Sequence, residues 1–133
     1  MHIVRPTAFE ITDKNLKRAG LDYWSTLDVH YYKTREEFFE KHGDKTIYYF
    51  TSKGKHCYTD VEYPDGCFIA FGRETAGIDR DILESNLENT LGLPMLDNRR
   101  CLNLSNSVAI ATYEVLRQWD FEDFKMEGIL GEK

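Results

Sequence analysis

A polar loop between two hydrophobic elements constrains this chain more than any other feature. Residues 93–118 (LPMLDNRRCLNLSNSVAIATYEVLRQ) combine the end of a strand, a loop rich in arginine and asparagine, and a helix. We expect Ser105 to be the helix N-cap, because its hydroxyl can accept a hydrogen bond from an unpaired backbone N–H. An apolar stripe at helical spacing predicts a core-facing side. The stripe consists of Val108, Ala111, Val115 and Trp119. A polar loop held between two anchored elements is a typical ligand site.

Strands and helices alternate along the rest of the chain. The patterns predict strands at residues 2–6, 27–32, 46–51, 67–71 and 91–95, and helices at 12–19, 34–43 and 79–87. Thr34 and Glu37 form the capping-box pattern S/T-x-x-E, and Asp79 is a suitable N-cap. The continuous apolar run CFIAF at residues 67–71 is typical of a strand covered on both faces. Alternation at this spacing predicts an α/β fold with a mostly parallel, helix-flanked sheet.

Composition limits the class of protein. Of 133 residues, 41% are hydrophobic and 14% aromatic, which excludes a disordered chain. No apolar run approaches the roughly 20 residues of a membrane span, and no basic-then-apolar leader precedes the first strand, so we expect neither membrane insertion nor secretion. The three cysteines, Cys57, Cys67 and Cys101, are odd in number and lack C-x-x-C spacing. Together with histidines that show no ligand spacing, they predict no disulfide framework, no metal site and a cytoplasmic location.

The charge distribution leaves nucleic-acid binding open. The net charge of −6 opposes it, yet residues 120–133 hold five acids and two lysines, a net of −3, in what we expect to be a loosely ordered acidic tail. Phosphate contacts need local positive clusters, not a positive total. Such clusters occur at Lys14, Lys17 and Arg18, at Lys53 and Lys55, and at Arg99 and Arg100. The alternative is that these clusters are ordinary solvated faces.

Three segments carry a specific resemblance. FGRETAGI at residues 71–78 and RCLNLSNSVAIATYEVLRQ at 100–118 resemble the last two signature motifs of the SpoU branch of SPOUT RNA 2'-O-methyltransferases. LKRAGLDYW at residues 16–24 narrows the resemblance to the TrmL type, which methylates the wobble nucleotide of certain tRNAs. The resemblance covers residues 2–119 and implies one SPOUT domain over residues 1–119, with a trefoil knot formed by residues 71–118. It further implies S-adenosylmethionine as cofactor, tRNA as substrate and a homodimer that completes its site across subunits.

The resemblance also assigns residues. It implies a cofactor held mainly by backbone groups of three loops, at Phe50, Gly72, Leu93 and Cys101. Cys101 stands where relatives often carry serine, and a thiol is the poorer donor. Gly72 and Gly77 would let the ligand approach the backbone closely. A Gly-x-x-x-x-Gly turn is otherwise most often a tight strand-to-helix connection.

Three residues are catalytic candidates, each with a structural alternative. Glu74 orders the loop or contacts substrate, or is a turn carboxylate on the surface. Asn103 orients the ribose, or hydrogen-bonds the loop backbone. Tyr113 shares a helix face with Asn106 and lines the RNA side, or is a half-buried core aromatic. RNA contacts are expected at Lys17, Arg18, Tyr23, Arg99 and Arg100.

The family reaction is a displacement in which the ribose 2'-OH attacks the methyl group of a sulfonium. The enzyme must supply alignment and a way to take the hydroxyl proton. Family members open with a strand and helix carrying Asn-x-Gly-Asn-x-x-Arg, which these 133 residues lack. We therefore expect slow methyl transfer from this chain. The alternatives are a non-catalytic cofactor- or tRNA-binding remnant and, less favoured by the motifs, a generic flavodoxin-like binding domain.

Overall fold

The computed structural model describes residues 1–4, 28–73, 76–96, 103–124 and 126. The chain divides into two compact units, residues 1–45 and residues 46–133. Several predictions lie outside the described residues, among them the helix at 12–19 and the loop at 97–102.

The first unit contains two short parallel strands and one helix. Strand β1 (His2–Val4) pairs with β2 (His30–Tyr32), His2 lying opposite His30. Helix α1 (Arg35–His42) begins after Thr34, whose Oγ1 accepts a hydrogen bond from the Glu37 N–H at 3.2 Å. The Glu37 carboxylate returns to the Lys33 N–H at 2.9 Å, one residue further upstream than a capping box requires. The capping prediction is therefore confirmed in a slightly extended form.

The second unit is built on a four-stranded parallel sheet. Its strands are β3 (Ile47–Phe50), β4 (His56–Cys57), β5 (Phe68–Phe71) and β6 (Thr90–Gly92), in the order β4-β6-β3-β5. Its helices are α2 (Arg80–Ser85), a 3-10 turn (Leu87–Asn89) and α3 (Leu104–Gln118). The predicted parallel α/β architecture is confirmed. The last strand, β6, is inserted between β3 and β4 instead of adding to an edge.

The burial of strand β5 differs from expectation. All four residues of β5 are only half-buried, so the prediction that CFIAF is covered on both faces is wrong. The reason is position, because β5 lies at an edge of the described sheet. The central strand is β3, where Ile47, Tyr49 and Phe50 are buried.

Helix α3 packs against β5 and closes the core. Ala111 and Val115 are buried beside fully buried Leu91, as the apolar stripe predicted, and Trp119 is half-buried against them. Val108 at the other end of the stripe is 37% exposed, so its predicted core position is wrong. The apolar stripe of α3 is buried only where the helix lies over the sheet.

The N-cap of α3 also differs from the prediction. Asn103 is the cap, and its Oδ1 accepts hydrogen bonds from the Ser105 N–H at 2.8 Å and from the Ser105 hydroxyl at 2.6 Å. Ser105 is therefore a donor within the first turn and not the predicted cap. Asparagine and serine are about equally good caps, so local preference could not decide between them.

The last turn of α3 fastens the connection between β4 and β5. The Gln118 carboxamide accepts from the Tyr63 N–H at 3.0 Å and donates to the Val61 carbonyl at 2.9 Å. The indole N–H of Trp119 donates to the Tyr63 carbonyl at 2.8 Å. These bonds replace the strand partners that this irregular segment lacks.

Candidate functional site

A cleft of about 1210 Å³ opens at the carboxyl ends of β3, β5 and β6. Phe50 and Phe71 end two of these strands, and Leu93 follows the third; all three line the cleft. Ligands of parallel α/β sheets bind at the carboxyl ends of the strands. The cleft is somewhat larger than the roughly 300 to 1,000 Å³ of small-molecule pockets. It is therefore the candidate site of this unit.

The first wall is the turn after β3. The Thr51 N–H donates to the Leu91 carbonyl at 2.9 Å, and the Gly54 N–H returns to the Thr51 carbonyl at 3.1 Å. A Cβ atom at Gly54 would lie 2.2 Å from the Leu91 carbonyl carbon. Only glycine therefore lets this turn pack on the backbone of β6, a constraint that sequence patterns do not reveal.

The second wall is the loop after β5. Arg73 and Gly77 form an isolated antiparallel bridge, with the Gly77 N–H donating to the Arg73 carbonyl at 2.8 Å. A Cβ atom at Gly72 would lie 2.0 Å from the Gly77 carbonyl carbon and 2.2 Å from the Ile78 nitrogen. Gly77 has φ +68°, a backbone conformation that favours glycine. The absence of a side chain at Gly72 therefore lets the loop close on itself, and the predicted approach of a ligand to this glycine stays a prediction.

The third wall is formed by α2, which the sequence analysis did not assign to the site. Arg80, Leu83 and Glu84 line the cleft from this helix. Asp79 occupies the predicted N-cap position, but its side chain makes no capping bond. Its Oδ1 accepts instead from Arg73 at 3.1 Å. An ion pair thus replaces the expected cap and ties the second wall to the third.

The start of α3 closes the cleft with Asn103, Leu104 and Ser107. The Asn103 oxygen is used in capping, which is the structural alternative considered for this residue. Because Asn103 also lines the cleft, its amino group can donate to a ligand there. The capping bonds hold the carboxamide in one orientation, which also fixes the direction of its amino group.

The structure gathers three of the four predicted cofactor positions, Phe50, Gly72 and Leu93, around one cleft. Phe50 is buried with its ring stacked on Phe71 at a centroid distance of 4.8 Å, so its backbone is the part left for a ligand. Cys101 lies outside the described residues. The same holds for Glu74 and for all five predicted RNA contacts, Lys17, Arg18, Tyr23, Arg99 and Arg100.

Tyr113 is not part of the cleft lining. Its side chain is 63% exposed on α3, with its ring centroid 6.2 Å from that of Phe121. The alternative of a half-buried core aromatic is therefore wrong for this residue. Within the described residues, Tyr113 therefore makes no contribution to the cleft of its own chain.

The described cleft lining is positively charged, although the chain carries −6. Lys53, Arg73 and Arg80 line it against one carboxylate, Glu84, a balance of +2. Lys55, predicted in the same cluster as Lys53, is paired instead with Glu88. Hydrogen bonds from Lys55 and then His56 hold the pKa of Glu88 below its usual value. Of the two lysines that the sequence predicted as one cluster, Lys53 therefore lines the cleft and Lys55 forms a local ion pair.

Among the residues that the structure describes, no group of three or more histidine, cysteine or acidic side chains is arranged to hold a metal ion. No helix in the described part of the chain is long and apolar enough to cross a membrane. Cys57 and Cys67 are both thiols, and burial raises the pKa of the Cys67 thiol.

Comparison with known proteins identifies the fold family. The profile of the SpoU rRNA Methylase family matches residues 1–113. A protein of Listeria innocua named tRNA (cytidine(34)-2'-O)-methyltransferase is 48% identical over 124 residues, which cover 91% of this chain and 73% of that protein.

Solved structures of methyltransferases are also similar to this chain. One from a study of 2-OH methylation of C/U34 on tRNA has a TM-score of 0.82 and 31% identity, covering 91% of this chain and 79% of that chain. The SpoU methyltransferase AviRb of Streptomyces viridochromogenes, solved with its cofactor AdoMet, has a TM-score of 0.71 and covers 90% of this chain and 50% of its own. At 16% identity, AviRb shows the fold alone. The family match and the close relative show that this chain belongs to the SpoU methylase family.

Proposed function

We propose that this chain is an S-adenosylmethionine-dependent methyltransferase that acts on the ribose 2'-OH of the tRNA wobble nucleotide, a cytidine or a modified uridine. The observation that carries the proposal is the cleft, which gathers Phe50, Gly72 and Leu93 at the carboxyl ends of three parallel strands. The name of the Listeria relative and the subject of the C/U34 structure support the same reaction on the same nucleotide.

The lining of the cleft fits this cofactor. Its apolar part includes Ile78, Leu83 and Leu93, which suit the flat face of an adenine. Its polar part includes Thr51, Asn103 and the backbone around Gly72, which suit the ribose and the amino-acid end. A mixed lining of this kind matches a ligand with one aromatic and one charged end.

Bound S-adenosylmethionine supplies a methyl group already activated by a sulfonium, so the reaction needs no metal. The described residues have to align the ribose hydroxyl with that methyl group. We assign this role to Asn103, whose capping bonds hold the carboxamide at the cleft. We assign Glu74 the ordering of the loop after β5, and Cys101 a backbone contact to the cofactor. Lys17, Arg18, Tyr23, Arg99 and Arg100 remain the proposed RNA contacts.

We propose a homodimer in which Tyr113 contributes to the RNA side of the partner's site. Apolar side chains are exposed along α3 and the segment after it, namely Val108, Ile110, Tyr113, Phe121 and Phe124. Such a concentration of exposed apolar groups is typical of an interaction surface. A symmetric dimer would cover this surface and bring Tyr113 to the cleft of the partner subunit.

We also propose the trefoil knot at residues 71–118. Support comes from strand order, since β6 lies between β3 and β4 and α3 then packs against β5. The chain must therefore leave the middle of the sheet to reach its edge. A crystal structure that traces residues 93–104 either through or around the loop at 71–80 decides the point.

Methyl transfer is tested with radiolabelled cofactor and an unmodified tRNA transcript. We expect incorporation into tRNA with cytidine 34 and none into the same tRNA carrying 2'-deoxycytidine at that position, which lacks the acceptor oxygen. Equal labelling of the two transcripts would contradict ribose methylation at this nucleotide. Cofactor and tRNA binding without any transfer would favour the non-catalytic alternative.

Cofactor binding is tested separately with S-adenosylhomocysteine. A ligand present at 100 times its Kd stabilises the folded state by about 2.7 kcal/mol, which a thermal melt resolves. No change in Tm at millimolar ligand would refute the cofactor assignment.

A further inference from the structure

We propose that Lys53, Arg73 and Arg80 form a phosphate-binding rim on the cleft, which holds the sugar-phosphate backbone of the RNA next to the target nucleotide. The inference rests on the proposed function and adds residues to it. The ligand group is an oxyanion, and we assign it to RNA phosphate; the carboxylate of the cofactor is the competing source.

Charge placement is the first argument. The whole chain carries −6, yet the described cleft lining balances to +2 through these three cations and Glu84, and to +1 when Asp79, the partner of Arg73, is counted. Positive charge gathered in a cleft of a negative chain raises the local concentration of anionic substrate. A site for a neutral or cationic ligand would not need this positive charge.

The geometry of the two arginines is the second argument. Arg73 donates from one terminal nitrogen to Asp79 at 3.1 Å, and Arg80 donates from Nε to Glu84 at 2.6 Å. A guanidinium carries five N–H donors in a fixed fork. Each carboxylate therefore orients its arginine and leaves donors for a second oxyanion. About half of the Arg73 side chain and nearly all of the Arg80 side chain are exposed, so both are accessible to a polymer.

The position of the rim is the third argument. Lys53 extends from the turn after β3, Arg73 from the loop after β5, and Arg80 from α2, so three walls of one cleft contribute. A nucleotide whose ribose enters the cleft carries phosphates on both sides of that ribose. Cations on several walls suit a ligand with phosphates on both sides of the ribose. The single carboxylate of the cofactor would need cations on one wall only.

The test compares six variants by tRNA affinity as a function of salt. Lys53→Gln, Arg73→Gln and Arg80→Gln should each reduce the slope of log K against log salt by about one and weaken binding alike for different anticodon sequences. Glu84→Gln removes the only carboxylate of the described lining and should tighten binding. Lys45→Gln is the matched control, because Lys45 precedes β3 in the chain and is not among the residues that line the cleft. Arg73→Lys keeps the charge and should keep the slope.

Binding of S-adenosylhomocysteine to the same variants separates the two sources of oxyanion. Unchanged Kd for this ligand, with a reduced salt slope for tRNA, supports the phosphate rim. A weaker Kd with an unchanged tRNA slope would overturn it in favour of the cofactor carboxylate. Slopes and Kd equal to those of Lys45→Gln would overturn it as well. If the unaltered chain fails to bind tRNA, the proposed function itself fails, and that result is distinct from these.

Discussion

The substitution Gly72→Ala tests whether the glycine of the loop after β5 serves the loop or the ligand. The new Cβ atom would lie 2.0 Å from the Gly77 carbonyl carbon and 2.2 Å from the Ile78 nitrogen, both backbone atoms that no side-chain rotation can move. Removing this clash requires the two arms of the loop to separate by more than 1 Å. That separation also stretches the 2.8 Å hydrogen bond from the Gly77 N–H to the Arg73 carbonyl.

The expected loss of folding stability follows from these contacts. Overpacking costs about 1 to 3 kcal/mol, while replacing glycine lowers the entropy of the unfolded chain and returns about 0.4 to 1 kcal/mol. We expect a net loss near 2 kcal/mol in the free energy of unfolding without cofactor. For a urea slope of about 2 kcal/mol/M this lowers the midpoint by about 1 M.

Gly92→Ala is the matched control. Gly92 ends β6, and its Cβ would meet the Thr51 carbonyl oxygen at 3.4 Å, an ordinary contact. We expect this variant to unfold at the same or a slightly higher urea concentration. If Gly72→Ala matches Gly92→Ala in both urea midpoint and affinity for S-adenosylhomocysteine, the steric argument is refuted. If only ligand affinity falls, with unchanged stability of the ligand-free chain, the glycine serves ligand approach as the sequence first suggested.

Three further predictions address packing, pH and assembly. Gln118→Leu leaves the Tyr63 N–H and the Val61 carbonyl without their partner. An unsatisfied buried group costs about 1 to 3 kcal/mol, and because both of these bonds are only partly buried we expect a loss of about 2 to 4 kcal/mol of unfolding free energy, the lower part of the sum; a urea midpoint equal to that of the unaltered chain would contradict it. Hydrogen bonds from Arg117 hold the pKa of the Glu114 carboxyl below its usual value, so its contribution is present above pH 4.5 and lost as the pH falls through the lower folded pKa; urea midpoints measured from pH 7 to pH 3 should fall less steeply in Glu114→Gln. Tyr113→Glu places a charge in the proposed dimer surface, and light scattering should show a larger monomer fraction than for Lys45→Glu; equal fractions would argue against that surface.

Sequence by itself determined the features that depend on near neighbours. The bond from the Glu37 N–H to Thr34 spans three residues, so the S/T-x-x-E pattern was sufficient to predict it. The buried pair Ala111 and Val115 follows from helical periodicity. The family match over residues 1–113 agrees with the motif at residues 71–78, whose residues are contiguous. In each case the deciding interaction or pattern lies within about two helical turns.

The tertiary structure alone decided what depends on distant contacts. The half-buried state of β5 follows from its edge position, and the insertion of β6 between β3 and β4 follows from pairing across about forty residues; local patterns encode neither. The clash that restricts Gly54 involves Leu91. Arg80 enters the cleft because α2 forms its third wall. Periodicity and capping report on energies within one element, whereas strand order and close backbone approach arise when separate elements pack, and that packing sets the shape and charge of the cleft.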